Sequence, residues 1–412
     1  MQHYFHGDDF HHNQRAADSD AEGLREELDL LTASGRLLAM LDRPFAECLS
    51  RLQLADELRI WAAIDWFGPL ELWRAPGHEV SDMLFNGPPH DPFFIIQRGV
   101  MTNTGVTCHP SWIAWTQRQL LLRSNRLRWW EHADGRVTWP SLAVQGVADR
   151  LRYAVTAEPH SRDGGSIAVR TLPERWRTLD DLIISGVINR EATELLMEAL
   201  RCGASVLVGG ATGSGKTTLT AGLTQELGHT QRLVFIEDGG ELPRCINSLH
   251  IEVMSGGNEF SRAVSFALRQ KPNYIIVGEV RGGEAMALLQ AAATGHPGVG
   301  TIHASHVQAA LRNLERMAMI GLASESGGAG QSAAQIVRGM ITSDSVNLIV
   351  VHIGRTAQGR RAVLAIEEVL RQGAQGQSGD HFPTNVLFRH DTYSDSLQRI
   401  GYVQAEWGHG RM

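Results

Sequence analysis

Residues 205–219 read SVLVGGATGSGKTTL. A short apolar run ends on two glycines, a glycine-spaced loop follows, and a helix-forming stretch begins at Lys216. Gly210 to Thr217 satisfies GxxxxGK[ST] position by position. In that pattern the glycines let backbone N–H groups turn inward around phosphate oxygens, and the helix start adds its positive dipole end. The candidate phosphate-binding residues are therefore Gly210, Ala211, Thr212, Gly213, Ser214, Gly215, Lys216, Thr217 and Thr218. Lys216 would reach the β- and γ-phosphates, and the Thr217 hydroxyl would bind Mg²⁺. The lysine is informative in itself. Of 38 basic residues only Lys216 and Lys271 are lysines, and one of them sits where a compact ammonium is needed and a planar guanidinium does not fit.

Outward from this loop the chain alternates strand and helix. RLVFIED (232–238) and the short HIEV (250–253) precede a helix predicted over 259–270. YIIVGE (274–279), a helix over 283–293 and VGTIHA (299–304) follow. Strands alternating with helices of about 10–15 residues imply parallel βαβ units and a doubly wound sheet. SVNLIVVHI (345–353) and RRAVLAIEEVL (360–370), joined across a glycine-containing turn, read as a hairpin.

Ligands of open α/β sheets sit outside the carboxyl ends of the strands, and two acidic groups fall there. One strand delivers Glu237 and Asp238, with Glu241 three residues on; another delivers Glu279, with Arg281 two residues further. Acids confined to strand tips suit Mg²⁺ coordination and activation of a water. Where an aspartate ordinarily ends the second strand this chain has Gly278, so Glu279 is assigned to orienting or deprotonating water rather than to the metal. TGHPGVGTIHASH places His296 and His303 seven residues apart, and both are expected beside a γ-phosphate. A zinc pair is the weaker alternative, since no matching cysteine or carboxylate spacing accompanies them.

The N-terminal half is less regular. Residues 1–22 are polar, acidic and histidine-rich and read as a disordered tail. Leucines at helical spacing predict helices over 24–41 and 45–64, with Pro44 at the break. PFFIIQRG (92–99) is a strand, about 110–124 a Trp- and Leu-rich helix, and LRYAVTAE (151–158) and SIAVRT (166–171) are strand-like. The resulting division is a tail (1–22), a mixed α/β domain (23–173), a linker (174–189), a doubly wound domain (190–370), and a linker with C-terminal tail (371–412).

Composition narrows the class. A formal net charge of −7 argues against a chain built to coat nucleic acid, and so against a helicase. Four scattered cysteines with no CxxC pair exclude a zinc ribbon and disfavour a disulfide scaffold. No apolar run approaches the 18 or so residues of a membrane span. The first thirty residues lack a charged-then-apolar signal pattern, so a cytoplasmic chain is expected.

Four segments together carry a family resemblance. GGATGSGKTTL (209–219), VFIEDGGEL (234–242), ALRQKPNYIIVGEVRGGEA (267–285) and TGHPGVGTIHAS (294–305) resemble the Walker A, Asp box, Walker B and His box of the secretion-ATPase superfamily, in that order and at that spacing. The resemblance covers about residues 75–370. HEVSDMLFNGP (78–88), LRNLERMAMIG (311–321) and the 345–370 ending are similar to the tight-adherence (Tad/Flp) pilus branch, which is the first choice. A type IV secretion or conjugation ATPase is the alternative within the family, and a non-hydrolysing nucleotide-gated assembly factor the alternative outside it. The resemblance implies a RecA-like domain behind a smaller N-terminal domain, ATP and Mg²⁺ as ligands, and a homohexamer. It further implies inner-membrane platform proteins as partners, and a cytoplasmic location peripheral to that membrane. It assigns Glu279, Glu241, Lys216 and Arg170 to catalysis. Glu237, Asp238, Arg281, His296 and His303 are assigned to the nucleotide site. Arg170, in SIAVRT, best matches the family strand whose arginine reaches a neighbour's nucleotide. The chain departs from the family in lacking a four-cysteine insertion and in the run from Thr107 to Val147.

Overall fold

The computed structural model describes residues 80–87, 91–104, 116–117, 120–121, 123–124, 144–148, 150–156, 161–173, 175–253, 259–326, 331–371 and 381–404. The expected tail, the helices over 24–41 and 45–64 and most of the 110–124 helix lie outside the described residues. The chain divides into two compact units, Met1–Glu174 and Arg175–Met412.

In the first unit, β1 (Val80–Phe85), β2 (Phe94–Gln97), β3 (Val100–Asn103), β4 (Val144–Ala148), β5 (Leu151–Thr156) and β6 (Ser166–Thr171) form an antiparallel sheet in the order β3-β2-β1-β6-β5-β4. Its strands alternate as a one-sided sheet must. Leu151, Tyr153 and Val155 are buried while Arg152, Ala154 and Thr156 are half-exposed. Met83, Phe85, Phe93, Ile167 and Val169 complete that face, together with Leu120 and Leu121 from the helical stretch. The Gln117 side-chain amide donates to the Thr156 and Ser166 carbonyls, both at 2.9 Å, tying this stretch to the β5 and β6 ends.

The second unit contains α1 (Leu179–Ile184), α2 (Arg190–Arg201), β7 (Ser205–Gly210), α3 (Lys216–Leu227), β8 (Leu233–Glu237), β9 (Ser248–Glu252), α4 (Glu259–Leu268), β10 (Tyr274–Val277), α5 (Glu284–Ala293) and β11 (Gly298–His303). It continues with α6 (Val307–Ser326), α7 (Gln331–Ile341), β12 (Leu348–Arg355), β13 (Arg361–Val369), β14 (Thr384–Asp391) and β15 (Ser396–Arg399). The strand order is β15-β14-β13-β12-β7-β11-β10-β8-β9; from β12 to β9 every pair is parallel, and from β12 to β15 every pair is antiparallel. β7, β8 and β10 are buried at every residue, the signature of parallel strands covered on both faces. Alternate side chains feed two cores. Val206, Val208, Phe235 and Ile276 pack with Leu182, Leu196 and Leu219 of α1 to α3. Leu207, Val234, Ile236 and Val277 pack with Ala263, Ala285, Leu311 and Val337 of α4 to α7.

The expected doubly wound arrangement is present, and two boundaries differ from the sequence reading. The stretch read as a linker over 174–189 holds α1, which starts at a reciprocal cap between Thr178 and Asp181 and buries Leu182 in the second unit's core. The stretch read as a C-terminal tail adds β14 and β15 to the sheet. Leu387, Phe388 and Leu397 are its buried anchors, too few and too widely spaced to stand out as a periodic signal.

Candidate nucleotide-binding site

The glycine-rich loop lies at the carboxyl end of β7, between β11 and β12. A Cβ on Gly210 would stand 2.4 Å from the Ile353 carbonyl oxygen and 2.5 Å from Ser214 Oγ, and one on Gly215 would stand 3.2 Å from Ile353 Cδ1. Gly215 also takes φ +108° as it opens α3, a conformation that strains any residue with a Cβ. β12 therefore backs the loop so closely that these two positions need glycine. No side chain caps α3, leaving its first N–H groups for a ligand. The Ser214 hydroxyl is buried without a partner among the described residues. An uncapped helix start beside an orphaned buried hydroxyl fits a phosphate chain, and the Thr217 hydroxyl on the second residue of α3 fits a hard cation beside it.

Lys216 is only 8% exposed. Its Nζ donates to the Gly210 and Ala211 carbonyls, each at 3.0 Å, and stands 3.5 Å from His303 Nδ1. Burial pushes its pKa down and the nearby Glu279 charge opposes that. An ammonium held this way gains from an added phosphate anion.

Glu279, two residues beyond β10, is tied at both oxygens. Oε1 lies 2.7 Å from His303 Nε2, and Oε2 accepts from Arg281 at 2.6 Å. Burial alone would raise its pKa, but the Arg281 hydrogen bond and charge, with those of His303 and Lys216, outweigh it and hold the carboxyl below its ordinary value. Arg281 bridges the two acidic strand ends, with its second terminal nitrogen 3.6 Å from Asp238. The Glu279 hydrogen bond is the main cause of its raised pKa, with Asp238 and Glu241 adding their charge. Lys216, Thr217, Asp238, Glu241, Glu279, Arg281 and His303 thus surround one end of the sheet.

Two assigned residues do not join them. The sequence pattern places His296 with His303 beside the phosphates, but His296 precedes β11 whereas His303 ends it. Six residues of extended strand separate them, about 20 Å at 3.3 Å per residue. His296 instead lines a cavity of about 510 Å³ with Tyr274, Asp344 and Asn347 at the amino ends of the strands, its Nδ1 buried without a partner among the described residues. Glu237 is also misplaced as a ligand. It is 3% exposed; one oxygen accepts from the Leu242 N–H at 2.9 Å and the other lies 3.4 Å from His250 Nδ1, so it braces the loop carrying Asp238 and Glu241. A Cβ on Gly278 would press within 3.2 Å of Glu237 Cγ, so the glycine packs closely against this brace. Arg170 lies in the first unit, half-exposed, its Nε donating to Asp82 at 2.8 Å.

The sequence reading missed three supporting residues. Glu284 accepts from the Arg281 and Gly282 N–H groups, the latter at 2.7 Å, and fixes the turn after Glu279. Asn313 donates to the His303 carbonyl at 2.8 Å, and Thr301 to the Gly278 carbonyl at 2.5 Å. The short spacing from Arg281 to Glu284 was the available clue; Asn313 reaches the site only through packing of α6.

The family model described as Type II/IV secretion system protein matches residues 127–373. The conjugal transfer protein TrbB of Rhizobium radiobacter is 33% identical over 258 residues, covering 59% of this chain and 74% of that protein. The type IV secretion system protein PtlH of Bordetella pertussis is 38% identical over 135 residues, 31% of this chain and 40% of that one. Among solved structures, the crystal structure of the pilus retraction motor PilT with bound ADP is similar in fold, with a TM-score of 0.52 at 20% identity, over 76% of this chain and 84% of that one. The chain belongs to the type II/IV secretion system protein family, and its second unit is a RecA-like domain.

Proposed function

We propose that this chain hydrolyses ATP and uses the cycle to drive a type IV secretion or conjugation machine, working as a ring of identical subunits. The observation that carries the reading is the linked chain from Lys216 through His303 to Glu279 at the mouth of the loop, with contacts of 3.5 and 2.7 Å. Lys216 exchanges its two carbonyl partners for phosphate oxygens. Glu279, kept ionised, orients and deprotonates the attacking water, a role worth about 10²–10⁴ in rate. His303 holds one oxygen of Glu279, so a change at the phosphates is transmitted to the base. Thr217, with Asp238 and Glu241 nearby, would hold Mg²⁺, which when bound neutralises phosphate charge.

TrbB and PtlH support the secretion and conjugation reading over the pilus one. The pilus reading stays second on the strength of residues 78–88, whose VSDMLF forms β1. A pilus or secretion platform in the inner membrane is the proposed partner; no described helix is long and apolar enough to cross a membrane. Arg170 is proposed to act on a neighbouring subunit's nucleotide, which requires it to leave Asp82. Phosphate release from ATP by the purified chain tests hydrolysis: the reading expects Mg²⁺-dependent release that Lys216→Ala abolishes. Release unchanged in that variant refutes it.

A further inference from the structure

The two flanks of the loop differ in chemistry. On the β11 and β10 flank lie His303, Glu279 and Arg281, the groups assigned to the terminal phosphate. A nucleotide laid along the loop with its terminal phosphate on that flank must extend its nucleoside toward β12 and β13. Three arginines stand at that hairpin's tip. Arg355 donates to the Gly359 carbonyl at 2.8 Å, and Arg360 is paired with Asp395. The Arg361 guanidinium forms no hydrogen bond or ion pair among the described residues; the residue is exposed, and its Cδ comes within 3.9 Å of where a Cβ on Gly215 would be. An uncommitted guanidinium beside the helix start that receives phosphates has an evident anionic ligand.

We propose that Arg361 binds the α-phosphate and adjoining ribose of the nucleotide, setting affinity for nucleoside di- and triphosphates without touching the reacting atoms. This inference rests on the nucleotide reading above. Because the contact is the same before and during reaction, its loss raises KM and leaves kcat in place.

The test is calorimetric titration of the full chain with ADP and, separately, with inorganic phosphate, which has neither an α-phosphate nor a nucleoside beside the one phosphate the loop holds. Arg361→Ala is expected to weaken ADP about tenfold, the size of one hydrogen bond to a charged group, and to leave inorganic phosphate binding unchanged. Arg361→Lys should restore part of the ADP affinity. Arg355→Ala, which alters only the hairpin tip, should bind ADP as the wild type does. Equal ADP binding by wild type and Arg361→Ala overturns the inference while leaving the nucleotide reading intact. Equal weakening of inorganic phosphate, or of ADP by Arg355→Ala, also overturns it, assigning the effect to general charge or to hairpin integrity. A wild-type chain that binds neither probe overturns both readings.

Discussion

His303 and His296 stand at opposite ends of the same strand, and their surroundings share almost nothing. At the carboxyl end, His303 contacts Glu279 and Lys216 within a cluster of charges around an uncapped helix start. At the amino end, half-buried His296 shares with Tyr274, whose hydroxyl donates to the Leu200 carbonyl at 2.6 Å, a cavity lined mainly by uncharged groups. Parallel strands all deliver their carboxyl ends to one edge, so acids, cations and backbone N–H groups accumulate there and the opposite edge is left to packing. Two histidines seven residues apart in sequence therefore sit in different surroundings, one among charges and one in a mostly uncharged cavity.

The largest expected effect lies at the carboxyl edge. Glu279→Gln keeps size and one acceptor oxygen but removes the base. ATP should still bind, while phosphate release falls by about 10²-fold or more. Turnover within a few-fold of wild type would give the base role to another acid, with Glu241 the first to examine. Next in size, His303→Gln should lower turnover about tenfold, the worth of one charge-linked hydrogen bond in the barrier. His296→Gln should leave turnover within about twofold. Equal kinetic losses from the two variants would erase the contrast between the strand ends.

Much of this contrast was legible in the sequence. The 205–219 run specifies strand, loop and helix together, because a phosphate-binding turn constrains every position. The acidic strand tips were legible because an acid ending an apolar run is conspicuous. What was not legible was direction. The motif containing His296 and His303 reads as one unit along the chain, and only strand polarity separates its ends. Glu237 and Asp238 are adjacent for the same reason, yet alternate side chains of a strand face opposite sides, so one became a buried brace. In the first unit, Arg170 meets Asp82 across 88 residues, a pairing set by sheet register and invisible to local pattern.

A smaller effect sharpens the electrostatics of the carboxyl edge. Arg281 is the chief counterweight to the burial of Glu279. In the wild type the base is therefore ionised throughout the neutral range, and loss of activity through its protonation occurs only below the ordinary carboxylate pKa. Arg281→Ala leaves burial unopposed by its main partner, so the acid limb of the pH–rate profile should move to higher pH. An acid limb that stays in place would mean that Arg281 does not govern the base. Smallest of all, and at the other edge, Tyr274→Phe removes the bond to Leu200 and should cost about 1 kcal/mol of stability, read as a lower denaturation midpoint with kcat unchanged. Burial pushes the Tyr274 pKa up to about 12, whereas the unfolded phenol ionises near 10. Its contribution is thus complete below about pH 10 and declines toward pH 12, a decline the phenylalanine variant should lack.

Hydrogen exchange of the full chain with and without ADP and Mg²⁺ tests the division of the sheet most directly. The account predicts slower exchange across residues 210–218, around Glu279 and His303, and along the 353–361 hairpin, with residues 295–297 and 344–347 unchanged. Protection centred on 295–297 and 344–347, with the 210–218 loop unaffected, would place the ligand at the other edge and contradict it.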